Sequence, residues 1–302
     1  MNLLILGGSG QLSGRVSELA LGQGHAVWAV TRGIRPLPEG VHGVTADRND
    51  PQALRAALAS CGVRWDAAID CICRTPDHAR IDLDILPAFT DRLAVVSTDS
   101  VYHPAHKRVP QTEEPAEYMH DGGYGDLKRQ MELVFLACPD LLKTTIFRPG
   151  HIFGPGFLPG CYPEQSRQAD LLAHIRADKP LRLVGGGDFL IHPIYVDDMA
   201  LALLDCLHNP TAHGEVYCIG GPDVITNAAY YVCLGELTGH SVQIESVPLE
   251  GYLEAHPQYS GHLCHRCYDL SKLASAGIRM PDMPLREGLR RQVEWLDTQI
   301  HA

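Results

Sequence analysis

Tyr124 and Lys128, in the run YGDLKRQMELVFLAC, are four residues apart and have the side-chain types for proton transfer. No Gly or Pro follows Gly125, so the run reads as a helix, on which a spacing of four puts phenol and ammonium on one face, a turn apart. A phenol with its ordinary pKa of about 10 is a poor base at neutral pH, and a neighbouring cation favours the phenolate. Upstream, STDSVY supplies Ser97, Thr98 and Ser100 at the end of the apolar run 93–97. Hydroxyls there would stand at the carboxyl end of a strand, where doubly wound sheets collect their ligands.

A second constellation opens the chain. LLILGGSGQLSGRV sets Gly7, Gly8 and Gly10 directly after an apolar run and before a helical one, the position at which a dinucleotide pyrophosphate meets a helix N-terminus. Gly7, Gly10, Gln11 and Leu12 are the expected backbone contacts, and Ser13 stands where a third glycine or alanine would be expected, with Gly14 one residue late. No carboxylate follows the second strand to take ribose hydroxyls; HAVWAVTRG offers Thr31 and Arg32, and an arginine suits a 2′-phosphate. NADP is therefore expected over NAD. Asp47, in ADRND after the third strand, is read as meeting the adenine amino group, with a helix cap as the plain alternative.

The elements that must position these groups follow an α/β rhythm. Strands are predicted at 3–6, 26–30, 41–46, 67–71, 93–97 and 144–147, with crossover helices at 16–21, 51–58, opened by Asp50 and Pro51, and 81–89. The expected fold is a Rossmann-type doubly wound parallel sheet with a smaller C-terminal substrate-binding lobe. Residues 1–153 would form the dinucleotide-binding domain, completed by parts of 190–235. A loop rich in Gly and Pro at 154–163 would lead into the lobe, formed by 154–189 and 236–302. Helices at 165–177, 196–207 and 285–296 and strands at 181–184 and 216–219 fill the remainder.

These motifs resemble the extended short-chain dehydrogenase/reductase family of nucleotide-sugar epimerases, dehydratases and reductases, over nearly the whole chain. GGSGQLSG is similar to its GGxGxxG loop, STDSVY to its Ser/Thr strand, YGDLK to its YxxxK, and RPGHIFGPG (Arg148 to Gly156) to its RxxNxYGP segment. The resemblance implies Tyr124 as general acid/base, Lys128 holding the nicotinamide ribose and depressing the tyrosine pKa, and Thr98 bonded to the reacting oxygen. Ser100 stands where related 4,6-dehydratases carry a glutamate, so a ketoreductase or an epimerase is implied before a dehydratase. His151 takes the place of an asparagine that contacts the nucleotide diphosphate, which widens the expected substrate from nucleotide sugars to smaller sugars and nucleosides. A non-catalytic cofactor-sensing or RNA-associated protein on the same fold is the rival reading, against which Thr98, Tyr124 and Lys128 count.

Weaker candidates surround these. His192, in FLIHPIYVDD, is a candidate to face the substrate, as is Arg266 beside His265; Asp197, Thr226 and Asn227 read as helix caps. Cys264 and Cys267 form one CxxC with no second pair at metal spacing, and the 16 histidines show no HxxxH or HExxH, so no catalytic metal is expected. With 25 Lys+Arg against 36 Asp+Glu, a formal charge of −11, there is no basic field for nucleic acid. Ten scattered cysteines, glycines within six residues of Met1 and no run of ~18 apolar residues point to a reducing cytoplasm and no membrane span. Met131, Leu133, Val134, Phe135 and Leu136 give the Tyr124 helix a wide apolar surface, which would pack internally or form a homodimer's helix bundle.

Overall fold

The computed structural model describes residues 1–161 and 163–300, so Tyr162 of the predicted Gly/Pro-rich loop and residues 301–302 of the predicted lobe lie outside the described residues. The first half runs β1 (Asn2–Leu6), α1 (Gln11–Gly22), β2 (Ala26–Thr31), β3 (His42–Thr45), α2 (Pro51–Ser60), β4 (Ala67–Asp70), α3 (Pro76–Ile85), β5 (Arg92–Val96), α4 (Tyr124–Leu136) and β6 (Lys143–Pro149). Then follow β7 (Ile152–Phe153), α5 (Leu171–Arg176), β8 (Leu181–Val184), β9 (Leu190–Ile191), β10 (Ile194–Tyr195), α6 (Val196–Asp205) and β11 (Val216–Ile219). The chain ends with β12 (Ile225–Thr226), α7 (Asn227–Thr238), β13 (Ile244–Val247), α8 (Leu249–Ala255), α9 (Ser271–Ser275) and α10 (Leu285–Ile300).

Seven strands pair in parallel in the order β11-β6-β5-β4-β1-β2-β3. This is the expected doubly wound sheet, and the strand order reverses between β1 and β4, which places the ligand crevice over the carboxyl ends of those two strands. Successive residues of β1 and β4 are buried on both sides, as a parallel sheet covered on two faces requires. Leu3 and Ile5 pack with Val16 and Ala20 of α1 and with Met199 and Leu203 of α6. Leu4 and Leu6 face the other way, with Leu54, Leu58, Met131 and Phe135 of α2 and α4. A separate apolar cluster joins Phe153, Phe157, Leu171, Tyr230, Leu289 and Val293. The surface of α4 is divided: Met131 and Phe135 are buried against the sheet and Leu133 is exposed.

The boundaries shift where caps were overlooked. α3 starts at Pro76, five residues before the predicted 81, because Thr75 accepts the His78 amide as its N-cap. Asp50 caps α2 as expected, through the Ala53 amide at 3.0 Å. The helix predicted at 165–177 forms only as α5, and the residues before it are turn. Among the described residues no helix is long and apolar enough to cross a membrane.

Candidate active site

The loop between β1 and α1 is held by backbone geometry that only glycine accepts. Gly8 has φ of +93°, and a Cβ there would lie 2.4 Å from the Cβ of Ala29 on β2. Ser13 fits at the third-glycine position because its hydroxyl turns back: Oγ accepts the Gly10 amide at 3.0 Å, and the side chain is buried. The amides of Gln11 and Leu12, first in α1, have no helical carbonyl behind them and are donors for an anion. A cleft of about 510 Å³ runs from this loop past Thr31, Arg32, Arg35, Asp47 and Arg74. Two arginines thus stand after β2 where only Arg32 was anticipated. Asp47 does not cap α2; its Oδ1 takes the Asn49 amide and side chain, both at 2.9 Å, and those bonds hold its carboxyl below its ordinary pKa. A phosphate-accepting helix end, a close backbone approach and a long polar cleft fit a dinucleotide.

A second cleft, of about 400 Å³, continues inward from Gly10, Gln11 and Leu12 to Thr98, Tyr124 and Lys128. Thr98 follows β5 and starts a short helical turn, Asp99–Val101, its Oγ accepting the Ser100 amide at 3.2 Å. The first turn of α4 presses on this turn so closely that a Cβ at Gly125 would stand 2.0 Å from the Ser100 carbonyl oxygen. That approach brings Tyr124 and Thr98 to the lining of the same cleft. Gly125→Ala is expected to separate the two and lower turnover on the order of 100-fold, measured as kcat alongside the melting temperature.

Lys128 is almost fully buried, and its Nζ donates to the carbonyls of Cys73 at 2.6 Å and Val96 at 2.8 Å. An ammonium has three N–H groups, so one remains for a further acceptor. The Nζ is 5.9 Å from the Tyr124 ring centroid. Tyr124 is half-exposed at the cleft, and its phenol pKa is raised rather than depressed, the partial desolvation outweighing the cations Arg74 and Arg167. The expected lysine effect on the tyrosine is therefore not what this geometry gives, because Lys128 points at the two carbonyls.

A buried network fixes α4 against the sheet. Glu132 accepts Ser97 Oγ at 2.6 Å and both Nε and Nη2 of Arg148, at 3.0 and 2.6 Å, while Arg129 donates to it at 3.0 Å. Asp99 is also buried, yet Arg266 at 2.6 Å and the Tyr268 hydroxyl hold it ionised against the upward push of burial. Among the described residues it is the one carboxylate lining the inner cleft, and, held ionised, it offers no proton to assist loss of water.

Ser100, His151 and Arg266 line this cleft as expected; His192 does not. Its Nε2 donates to the Gly221 carbonyl at 2.7 Å, its Nδ1 accepts the Tyr268 amide at 3.2 Å, and the ring stacks on Tyr268, so both nitrogens serve the backbone. His151 meets Tyr230 edge-on, and burial, then Arg167 and Arg266, lower its imidazole to about 3, a neutral ring at physiological pH. Asp197 corrects another expectation: it grips Arg15 of α1 through two bonds, 2.6 and 2.8 Å, and caps nothing, whereas Thr226 does cap α7. Among the described residues the one set able to surround a metal is Asp70, Cys73 and Asp82, and both of its carboxylates already pair with the Arg48 guanidinium. Arg35, Arg74, Asp99 and Arg167 join the two clefts unannounced. Only their places after β2, β4 and β5 could have flagged three of them, and Arg167 sat in a stretch read as helix.

The family model for the NAD dependent epimerase/dehydratase family matches residues 3–220. The chain belongs to this family. Among curated relatives, 2′-dehydrokanamycin reductase of Streptomyces kanamyceticus is 28% identical over 255 residues, covering 83% of this chain and 70% of that one. Chloroplast stem-loop binding protein of 41 kDa b from Arabidopsis thaliana is 23% identical over 240 residues, 74% of this chain and 60% of that protein. UDP-glucose 4-epimerase of Thermotoga maritima superposes with a TM-score of 0.82 at 20% identity, covering 99% and 100% of the two chains. The dTDP-glucose 4,6-dehydratase of Bacillus anthracis does so with 0.80 at 20%, covering 100% and 98%. The epimerase/dehydratase family and the reductase relative together make the chain an NAD(P)-dependent enzyme of the sugar-modifying kind.

Proposed function

We propose that this epimerase/dehydratase family member reduces a ketone on a sugar-like substrate with NADPH, Tyr124 delivering the proton. The observation that carries the reading is that Thr98, Tyr124 and Lys128 line one cleft continuous with the glycine loop, the Lys128 ammonium 5.9 Å from the Tyr124 ring centroid. The nicotinamide nucleotide, when bound, supplies the hydride. Gln11 and Leu12 would hold its phosphates, Arg32 and Arg35 its 2′-phosphate, Asp47 its adenine, and the remaining N–H of Lys128 its ribose. Thr98 would orient the substrate oxygen, and the Tyr124 hydroxyl would give its proton as charge develops there.

The reductase relative supports net reduction over epimerisation, and the ionised Asp99 and Ser100 speak against dehydration. The division into a dinucleotide domain and a substrate lobe, cytoplasmic residence and a homodimer are part of the same reading. Ten free thiols and the exposed Leu133 on α4 support the last two. The test is NADPH consumption against a panel of keto sugars, with melting shifts for NADPH and NADH. Arg32→Ala is expected to weaken NADPH about tenfold while leaving NADH within twofold, as loss of a charged hydrogen bond implies. Equal losses for both would assign Arg32 no part in cofactor choice. Binding of neither nucleotide by the unmodified protein would favour the RNA-associated reading that the Arabidopsis relative's name suggests.

A further inference from the structure

The charges of the inner cleft do not balance. Among the described residues Arg74, Lys128, Arg167 and Arg266 line it against the single carboxylate Asp99, in a chain with an acidic excess of 11. Arg266 takes Asp99 through Nε, and Lys128 is turned to two carbonyls. Arg74 borders both clefts and so stands near the cofactor phosphates, whereas Arg167 and Arg266 line the inner one only.

Arg167 is the unusual member. Its guanidinium lies 5.0 Å from the Phe157 ring centroid and pairs with no carboxylate among the described residues. Its backbone is left-handed, with φ of +43°, a conformation that costs an arginine free energy and persists only where its surroundings enforce it. Burial lowers its pKa, which shows that desolvation of this cation goes uncompensated within the protein. Arg167 and Arg266 share the lining of the inner cleft with Thr98, Tyr124 and His151. The neighbouring imidazoles add no charge of either sign, His151 being lowered to about 3 and His262 to about 4.

Taking Tyr124 and Thr98 as the reacting centre, as proposed above, we propose that the substrate itself brings the balancing charge: a sugar-sized molecule carrying a carboxylate or phosphate group, bound between Arg167 and Arg266 beside the carbon that is reduced. Arg167 offers a planar fork of donors that matches either anion. A substrate bearing ammonium groups is repelled by the same residues, which separates this site from the compound in the reductase relative's name.

The test is calorimetric titration of the full-length protein saturated with NADP+, which keeps the phosphate positions of the cofactor cleft filled. The probes are glucuronate, glucose 6-phosphate, UDP-glucose and glucose. Glucuronate or glucose 6-phosphate should bind at least tenfold tighter than glucose, and whichever does so identifies the anion. Arg167→Gln should remove that advantage and Arg167→Lys should restore part of it, with the NADP+ melting shift unchanged in both. The proposal is overturned if neither anionic sugar binds better than glucose, if UDP-glucose alone is favoured, or if Arg167→Gln leaves the advantage intact. Failure of the protein to bind NADP+ would instead sink the oxidoreductase reading, and the preference for anionic sugars would still be read from the same titrations without nucleotide.

Discussion

Replacing Tyr124 with Phe is expected to lower kcat by roughly 10²–10⁴-fold, the usual contribution of a positioned acid, while the melting shift produced by NADPH stays within a degree of the unmodified protein. The hydroxyl is the only group removed, and Tyr124 lines the inner cleft beside Thr98 and does not line the cleft past Arg32 and Asp47. The pH dependence follows from the direction in which burial moves the phenol. Ketone reduction uses the protonated form, and a phenol raised above its ordinary value near 10 keeps its proton throughout the neutral range. Reduction should therefore show no loss from Tyr124 between about pH 6 and 9 and fall only as pH passes the raised pKa. Alcohol oxidation uses the phenolate and should climb over the same interval. Unchanged kcat in Tyr124→Phe, or a fall in reduction centred near neutrality that Tyr124→Phe abolishes, would contradict the assignment.

The second large effect is on stability. Arg148 and Glu132 are 1% and 0% exposed, and removing one partner of such a pair leaves a buried charge without compensation. Glu132→Leu, which strands Arg148, is expected to cost about 3–5 kcal/mol in urea unfolding, and Arg148→Met less, because Arg129 still pairs with Glu132. The double variant should be less damaging than the sum of the two, because the stranded charge is gone. Each single change should also depress turnover in the protein that remains folded, since Glu132 ties Ser97, next to Thr98, to the helix that begins at Tyr124. Additive losses in the double variant would show that the two side chains do not act as a unit.

Much of this was readable before any coordinates, and the reasons are local. The buried strands of the sheet announce themselves as apolar runs, and the glycine loop, Thr98, Tyr124 and Lys128 lie within a few residues of strand and helix ends that composition marks. What escaped notice depends on contacts between distant segments. His192 carries no sign in the sequence that Gly221 and Tyr268 will engage both its nitrogens. Asp197 looks like a cap until α1 brings Arg15 to it across 182 residues of chain. Arg167 was hidden by a helical pattern that the chain realises only from Leu171 onward. The raised pKa of Tyr124 has the same origin, since burial and the aim of Lys128 are tertiary facts that spacing along a helix leaves undetermined.

The tie between Asp99 and Arg266 also bears on the order in which the molecule is made. Lys128 meets Cys73 and Val96 across 55 and 32 residues, so the Lys128 side of the cleft closes within one continuous stretch of the first half. Asp99 waits for a partner 167 residues away, brought alongside as the Arg266 amide bonds to Leu190 on β9. A nascent chain released as far as residue 260 has all seven sheet strands to pair, yet Asp99 has Lys107 nearby and lacks its ion pair with Arg266. The Arg266 and Tyr268 side of the cleft is thus completed last, by closures of 167 and 169 residues, and a protein competent in synthesis but faulty in its final docking would still present a formed parallel sheet.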